Sequence, residues 1–165
     1  MRTDYPHHLP GFDYLGCYRY FLTFCCEDRH PAFLDSRVVD LVWSQFVRVA
    51  DIEGFSIIAC CFMPDHVHVL PEGLDDDSDL KGFTSKAKQL SGYAFKKTYQ
   101  RRLWQRYSYE HVLRDQESTR SVVAYILENP LRAKLAESVY EYPHIFSTLY
   151  GRKELIEFVY GRGSG

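Results

Sequence analysis

The chain has no run of roughly eighteen apolar residues, so no segment reads as a membrane-spanning helix. It has no Cys-x-x-Cys pair. Its five cysteines (Cys17, Cys25, Cys26, Cys60, Cys61) are odd in number and sit largely as adjacent pairs in apolar stretches, the pattern of packed, reduced thiols. Internal repeats and low-complexity tracts are missing too, which excludes solenoids and linker-like disorder. The first residues carry no apolar segment that could act as a secretory signal, and a cytoplasmic protein is expected. At 165 residues, with 45% apolar and 25% charged side chains, the chain suits a single globular domain over 1–165, its core spanning about 18–150.

The net charge of -2 hides an uneven distribution. Glu72, Asp75, Asp76, Asp77 and Asp79 form an acidic patch. Directly after it come Lys81, Lys86, Lys88, Lys96, Lys97, Arg101, Arg102, Arg106 and Arg114, against the single acid Glu110. Phe83, Tyr93, Phe95, Tyr99, Trp104, Tyr107 and Tyr109 are interleaved with them. Cations mixed with flat rings suit single-stranded nucleic acid; a solvated helix face over core aromatics gives the same composition.

Periodicity predicts a strand over 18–26 and a helix from Asp35 or Ser36 to about Glu53, stopped by Gly54. A second strand over 55–62 turns through Met63-Pro64-Asp65 into a third over 66–70, which Pro71 is expected to end. An acidic loop leads to a helix capped by Asp79 and running to about Lys97. A short strand within 104–113 and a helix from Asp115 or Ser118 to about Glu128, closed before Pro130, follow. The tail from about Phe158 looks frayed. This order predicts an α+β fold, an antiparallel sheet with helices packed mainly on one face.

The chemistry concentrates in Pro64-Asp65-His66-Val67-His68-Val69-Leu70. A strand alternates its faces, so His66 and His68 share one, ~6.6 Å apart, while Val67 and Val69 enter a core on the other. Two imidazoles so placed can close on one metal ion; a pair of half-exposed strand histidines is the simpler alternative. Tyr125 and, one helical turn later, Asn129 lie on one side of the predicted third helix. If that helix packs near the histidine strand, a phenol, two imidazoles and an amide meet at one point. A divalent ion there would polarise a phosphate for in-line attack by Tyr125.

Three segments in this order, Met63 to Leu70, Leu103 to Asp115 and Tyr125 to Leu131, resemble the REP-associated tyrosine transposases. These belong to the single-tyrosine superfamily named for its histidine-hydrophobe-histidine (HUH) motif. Phe21-Leu22-Thr23-Phe24, with Arg29 after it, resembles the opening strand of that family. The resemblance implies a ferredoxin-like or RRM-like sandwich in which His66 and His68 bind Mg²⁺ or Mn²⁺, with Asn129 in the position of a third ligand. It implies that Tyr125 nicks single-stranded DNA beside hairpin-forming repeats, becoming joined to the 5′ phosphate in a strand-transfer reaction. Lys88, Lys96, Lys97, Arg101, Arg102 and Arg114 would then neutralise phosphates. A monomer is expected. The family's arginine-rich N-terminal segment is thin here, with only Arg2 and Arg19 ahead of or at the first strand. Two other functions fit the same residues: a hairpin-binding module whose chemistry is vestigial, and a metal-dependent hydrolase that uses a bound water.

Overall fold

The computed structural model describes residues 11–113 and 118–161. Among them, five strands and four α-helices follow one another: β1 (Arg19–Cys25), α1 (Ser36–Glu53), β2 (Phe55–Met63), β3 (His66–Gly73), α2 (Leu80–Tyr99), β4 (Tyr109–Leu113), α3 (Thr119–Arg132), β5 (Ile145–Phe146) and α4 (Arg152–Tyr160). The strands form one antiparallel sheet in the order β4-β1-β3-β2-β5.

The helix ends follow side-chain chemistry. Asp35 and Asp79 each accept a hydrogen bond from the backbone two residues on, satisfying donors that the first helical turn leaves free. Gly54 ends α1 in the left-handed region at φ 71, where a Cβ would be strained. Ser118 caps α3 in the same way as the aspartates, accepting from Ser121 N–H.

The α+β class and the antiparallel sheet match the sequence reading, whereas the helices divide between both faces of the sheet. Tyr20, Leu22 and Phe24 of β1, with Phe62 of β2 and Val67 and Val69 of β3, pack under α1 and α2. The other face sends Ala59, Cys61 and Leu70 against Val123, Ile126 and Leu127 of α3 and Leu155, Ile156 and Val159 of α4. Central strands covered on both faces lose the alternation of polar and apolar residues, which is why β2 is buried along its whole length.

Three element ends differ from expectation, each for a local reason. Pro71 does not end β3, because it stands opposite Ile57 at a register shift; the Ile57 backbone is satisfied from the other side by Thr148. Pro130 does not close α3, which runs on to Arg132. Proline forfeits its own bond to the preceding turn and crowds the carbonyl four residues back, yet its φ suits a helix and here it packs into the interior. The tail contains α4, whose Leu155, Ile156 and Val159 are buried against α3, so 158–160 belong to a helix rather than a frayed end, and the rest of that stretch, 162–165, lies outside the described residues. The fourth strand lies within the expected 104–113, at its C-terminal end, and Trp104 contributes a single bridge to Cys26.

Candidate active site

His66 and His68 lie on the α3 side of the central strand β3, opposite Cys25 and Thr23 of β1. Their rings stand 4.8 Å apart, centroid to centroid. Each is held by its Nδ1. The Asp65 carboxylate accepts from His66 Nδ1 at 2.7 Å, and Asp65 itself accepts from Arg29 Nε at 2.8 Å. His68 Nδ1 shares a 2.9 Å hydrogen bond with the Thr23 hydroxyl, and its ring stacks on Phe21 at 5.3 Å. A carboxylate only accepts, so His66 carries a proton on Nδ1.

Burial pushes His68 down to about 3, helped by charge at His66 and Arg132. The imidazole is thus kept neutral, the form that ligates metals. Burial alone would push the Asp65 carboxyl up, but the His66 hydrogen bond and the Arg29 charge outweigh it and hold the group below its ordinary value. Arg29, Asp65 and His66 therefore form one ordered relay, of the kind that fixes ligand orientation in metal sites.

Tyr125, on α3, points toward the same face. Its ring is half exposed, edge-on to His68 at 6.4 Å and to Phe21 at 5.8 Å. With Phe21, His111, Ser121 and Val122 it lines an open pocket of about 310 Å³. Asn129 follows one turn later on the same side of the helix, and its side-chain nitrogen is buried without a hydrogen-bond partner. A buried amide without a partner is costly unless something else occupies it, and its nitrogen and oxygen ends can exchange by a simple flip.

Among the described residues, no group of three His, Cys, Asp or Glu side chains could hold a metal ion. Two imidazole nitrogens, with an amide oxygen as the third protein donor and positions open to substrate, nevertheless fit a divalent cation of intermediate hardness. The Asn129 side-chain nitrogen, buried without a partner, is the feature that admits this reading once the amide is flipped to present its oxygen.

The basic residues separate into two kinds. Lys96 and Arg102, with Tyr93, Trp104 and Arg106, line a groove of about 430 Å³ between α2 and the segment before β4. Lys97 and Arg101 are exposed beside it. Lys88 also borders the groove, yet its ammonium turns inward and donates to Gln105 O at 2.7 Å, Arg106 O at 3.2 Å and Ser108 Oγ at 3.2 Å. Burial, followed by the Arg102 charge, pushes Lys88 down to about 8. Arg114 lies outside the described residues. The groove is tied to the histidines through the backbone: Gln105 N–H donates to Cys25 O, and Cys25 stands opposite His66.

Sequence reasoning passed over Thr23, Asp65 and Arg132. Asp65 was legible only as a turn residue, although its place directly before His66 was a usable signal. Arg132 gave none, since a cation at a helix C-terminus is ordinary.

The Transposase IS200-like family profile matches residues 16–129. A Haemophilus influenzae protein assigned to the REP-associated tyrosine transposases is 26% identical over 136 residues, covering 76% of this chain and 77% of that protein. The REP-associated tyrosine transposase of Escherichia coli is 28% identical over 134 residues, covering 79% and 76%. Among solved structures, a REP-associated tyrosine transposase bound to a REP hairpin shares the fold, with a TM-score of 0.70 and 22% identity over 92% of this chain and 90% of that one. With the profile spanning the strand of the histidines, the basic segment and the helix that carries Tyr125, this chain belongs to the IS200-like transposase family and is an enzyme of the tyrosine transposase type.

Proposed function

We propose that this protein cleaves and rejoins single-stranded DNA beside a hairpin through a covalent 5′-phosphotyrosine at Tyr125. The observation that carries this reading is the Tyr125 ring 6.4 Å from His68, on the face shared by two imidazoles that are each held through Nδ1. His66, His68 and Asn129 would hold Mg²⁺ or Mn²⁺. Bound there, the ion supplies Lewis acidity toward the nonbridging oxygens of the scissile phosphate.

The chain's own residues do the rest. Phe21 and His68 hold the Tyr125 ring edge-on, so the phenol oxygen attacks from a fixed direction. In the attack a bond forms between that oxygen and phosphorus, the bond from phosphorus to the 3′ oxygen breaks, and the departing oxygen takes a proton to become a free 3′ hydroxyl. The phenolic proton leaves to solvent. Reversal by another 3′ hydroxyl rejoins the strand with no outside energy source, because the phosphotyrosine conserves the bond. Lys96, Lys97, Arg101 and Arg102 neutralise the DNA backbone along the α2 groove, with exposed Tyr93 available for stacking; Arg114 is proposed to join them. Lys88 contributes by pinning the Gln105 to Ser108 segment. The tyrosine helix reaches the histidines of its own chain, so a monomer is sufficient, and a cytoplasmic setting suits such a substrate.

The test is incubation with labelled single strands carrying a hairpin, plus Mg²⁺ or Mn²⁺, resolved on a denaturing gel. A DNA-protein adduct that Tyr125→Phe abolishes is the expected result. Binding without cleavage would point to the vestigial module, and cleavage surviving Tyr125→Phe would point to hydrolysis by water.

A further inference from the structure

The last turn of α3 brings a charge to Tyr125 that the reaction outlined above does not use. The Arg132 guanidinium carbon lies 4.1 Å from the centroid of the Tyr125 ring. Its Nη2 donates to the Tyr125 backbone carbonyl at 2.6 Å, which anchors the guanidinium to the turn that presents the phenol.

Among the described residues, the carboxylate paired with Arg132 engages it loosely. Glu128 stands 3.6 Å from Nη1 and already accepts a hydrogen bond from the Tyr160 hydroxyl at 2.6 Å. Arg132 is partly exposed and lines an open cavity of about 460 Å³ with Glu128, Tyr140 and Tyr160. A guanidinium carries five N–H donors in a rigid fork, so the backbone bond and one long ion pair leave donors for an anion arriving at Tyr125.

We propose that Arg132 is a further catalytic residue, one that contacts the nonbridging oxygens of the phosphate under attack by Tyr125. As the phenol oxygen bonds to phosphorus and the 3′ oxygen departs, negative charge gathers on the equatorial oxygens. A fixed guanidinium beside the attacking ring stabilises that charge more than it stabilises the ground state. Arg132 itself is unchanged by the step. This inference rests on the phosphotyrosine reading. The ordinary alternative is a helix-terminal cation in an i,i+4 pair with Glu128, a role that a lysine would fill equally well.

The experiment measures single-turnover adduct formation on the hairpin-bearing strand with saturating Mn²⁺, alongside DNA binding by anisotropy and thermal melting. Arg132→Gln is expected to slow adduct formation by about 10²–10³-fold, the usual cost of losing one such donor. DNA affinity should change by no more than about threefold, since one phosphate contact among several is lost. Arg132→Lys should recover only part of the rate, while Glu128→Gln, which removes the ion pair, stays near wild type. A strand whose cleaved linkage is a methylphosphonate, with one nonbridging oxygen replaced by methyl, should bring wild type and Arg132→Gln much closer together. A wild-type rate in Arg132→Gln, full rescue by lysine, an equal loss in Glu128→Gln, or an undiminished gap on the neutral linkage would each overturn the role of Arg132 alone. If wild type forms no adduct at all, the phosphotyrosine reading fails and this inference fails with it.

Discussion

The two faces of the sheet use the same strands for opposite ends. Toward α1 and α2, β1 presents Tyr20, Leu22 and Phe24, all fully buried, and the layer continues through rings in mutual contact: Phe46 lies 6.0 Å from Phe62 and 6.2 Å from Trp104. One residue out of phase, the same strand presents Phe21 and Thr23 toward α3, where they meet His68 and Tyr125. Here too rings touch, but most carry polar atoms and the Tyr125 ring is half open. A period of two thus lets one strand bury a core and support the face that carries the imidazoles and Tyr125, and damage to either should register in a different measurement.

The sharpest separation is expected from Tyr125→Phe, which should abolish the covalent adduct while leaving the unfolding midpoint in place. A shift in the midpoint would mean that the hydroxyl has a structural partner. His66→Ala should lower cleavage by orders of magnitude and, by titration calorimetry, Mn²⁺ binding with it, yet leave DNA affinity nearly unchanged. Equal loss of DNA binding would contradict a role confined to the chemistry. On the opposite face, Phe46→Ala should cost about 3–5 kcal/mol in denaturant unfolding. Activity per folded molecule should be retained, and a selective loss of activity would break the division between faces.

Smaller effects refine the active face. Asp65→Asn should weaken Mn²⁺ binding by roughly 10–100-fold, and Thr23→Val by less. The carboxylate is charged and braced by Arg29, whereas the threonine hydroxyl is neutral. The reverse order would place the main support at His68. The smallest effect concerns Lys88, whose value of about 8 in the folded protein lies below the ~10.4 of an exposed lysine. The unfolded chain then binds the proton more tightly, so folding bears a cost below pH 8 that is relieved as pH rises from about 8 to about 10.4. The stability of wild type relative to Lys88→Met should rise across that window. A flat difference would mean that the ammonium is not desolvated.

Much of this was legible in the chain because local chemistry decided it. Asp35, Gly54, Asp79 and Ser118 announced helix ends, and His66-Val67-His68 announced two imidazoles on one face. The errors fell where tertiary packing overrides local preference. Pro71 continues β3 because Thr148 satisfies the backbone across the bulge, and Pro130 stays within α3 because the interior receives it. Lys88 read as a phosphate contact by charge type, yet three acceptors in the Gln105 to Ser108 segment draw its ammonium inward.

The sequence by itself determined the alternation that puts His66 beside His68 and the one-turn spacing that puts Tyr125 beside Asn129, because both follow from the backbone repeat of a single element. Only the tertiary structure decided that these two elements meet, that Asp65 and Thr23 hold each imidazole by Nδ1, and that Arg132 lies over the Tyr125 ring. Contacts between distant segments depend on which face of the sheet each helix covers, and that is fixed by the burial of the whole core.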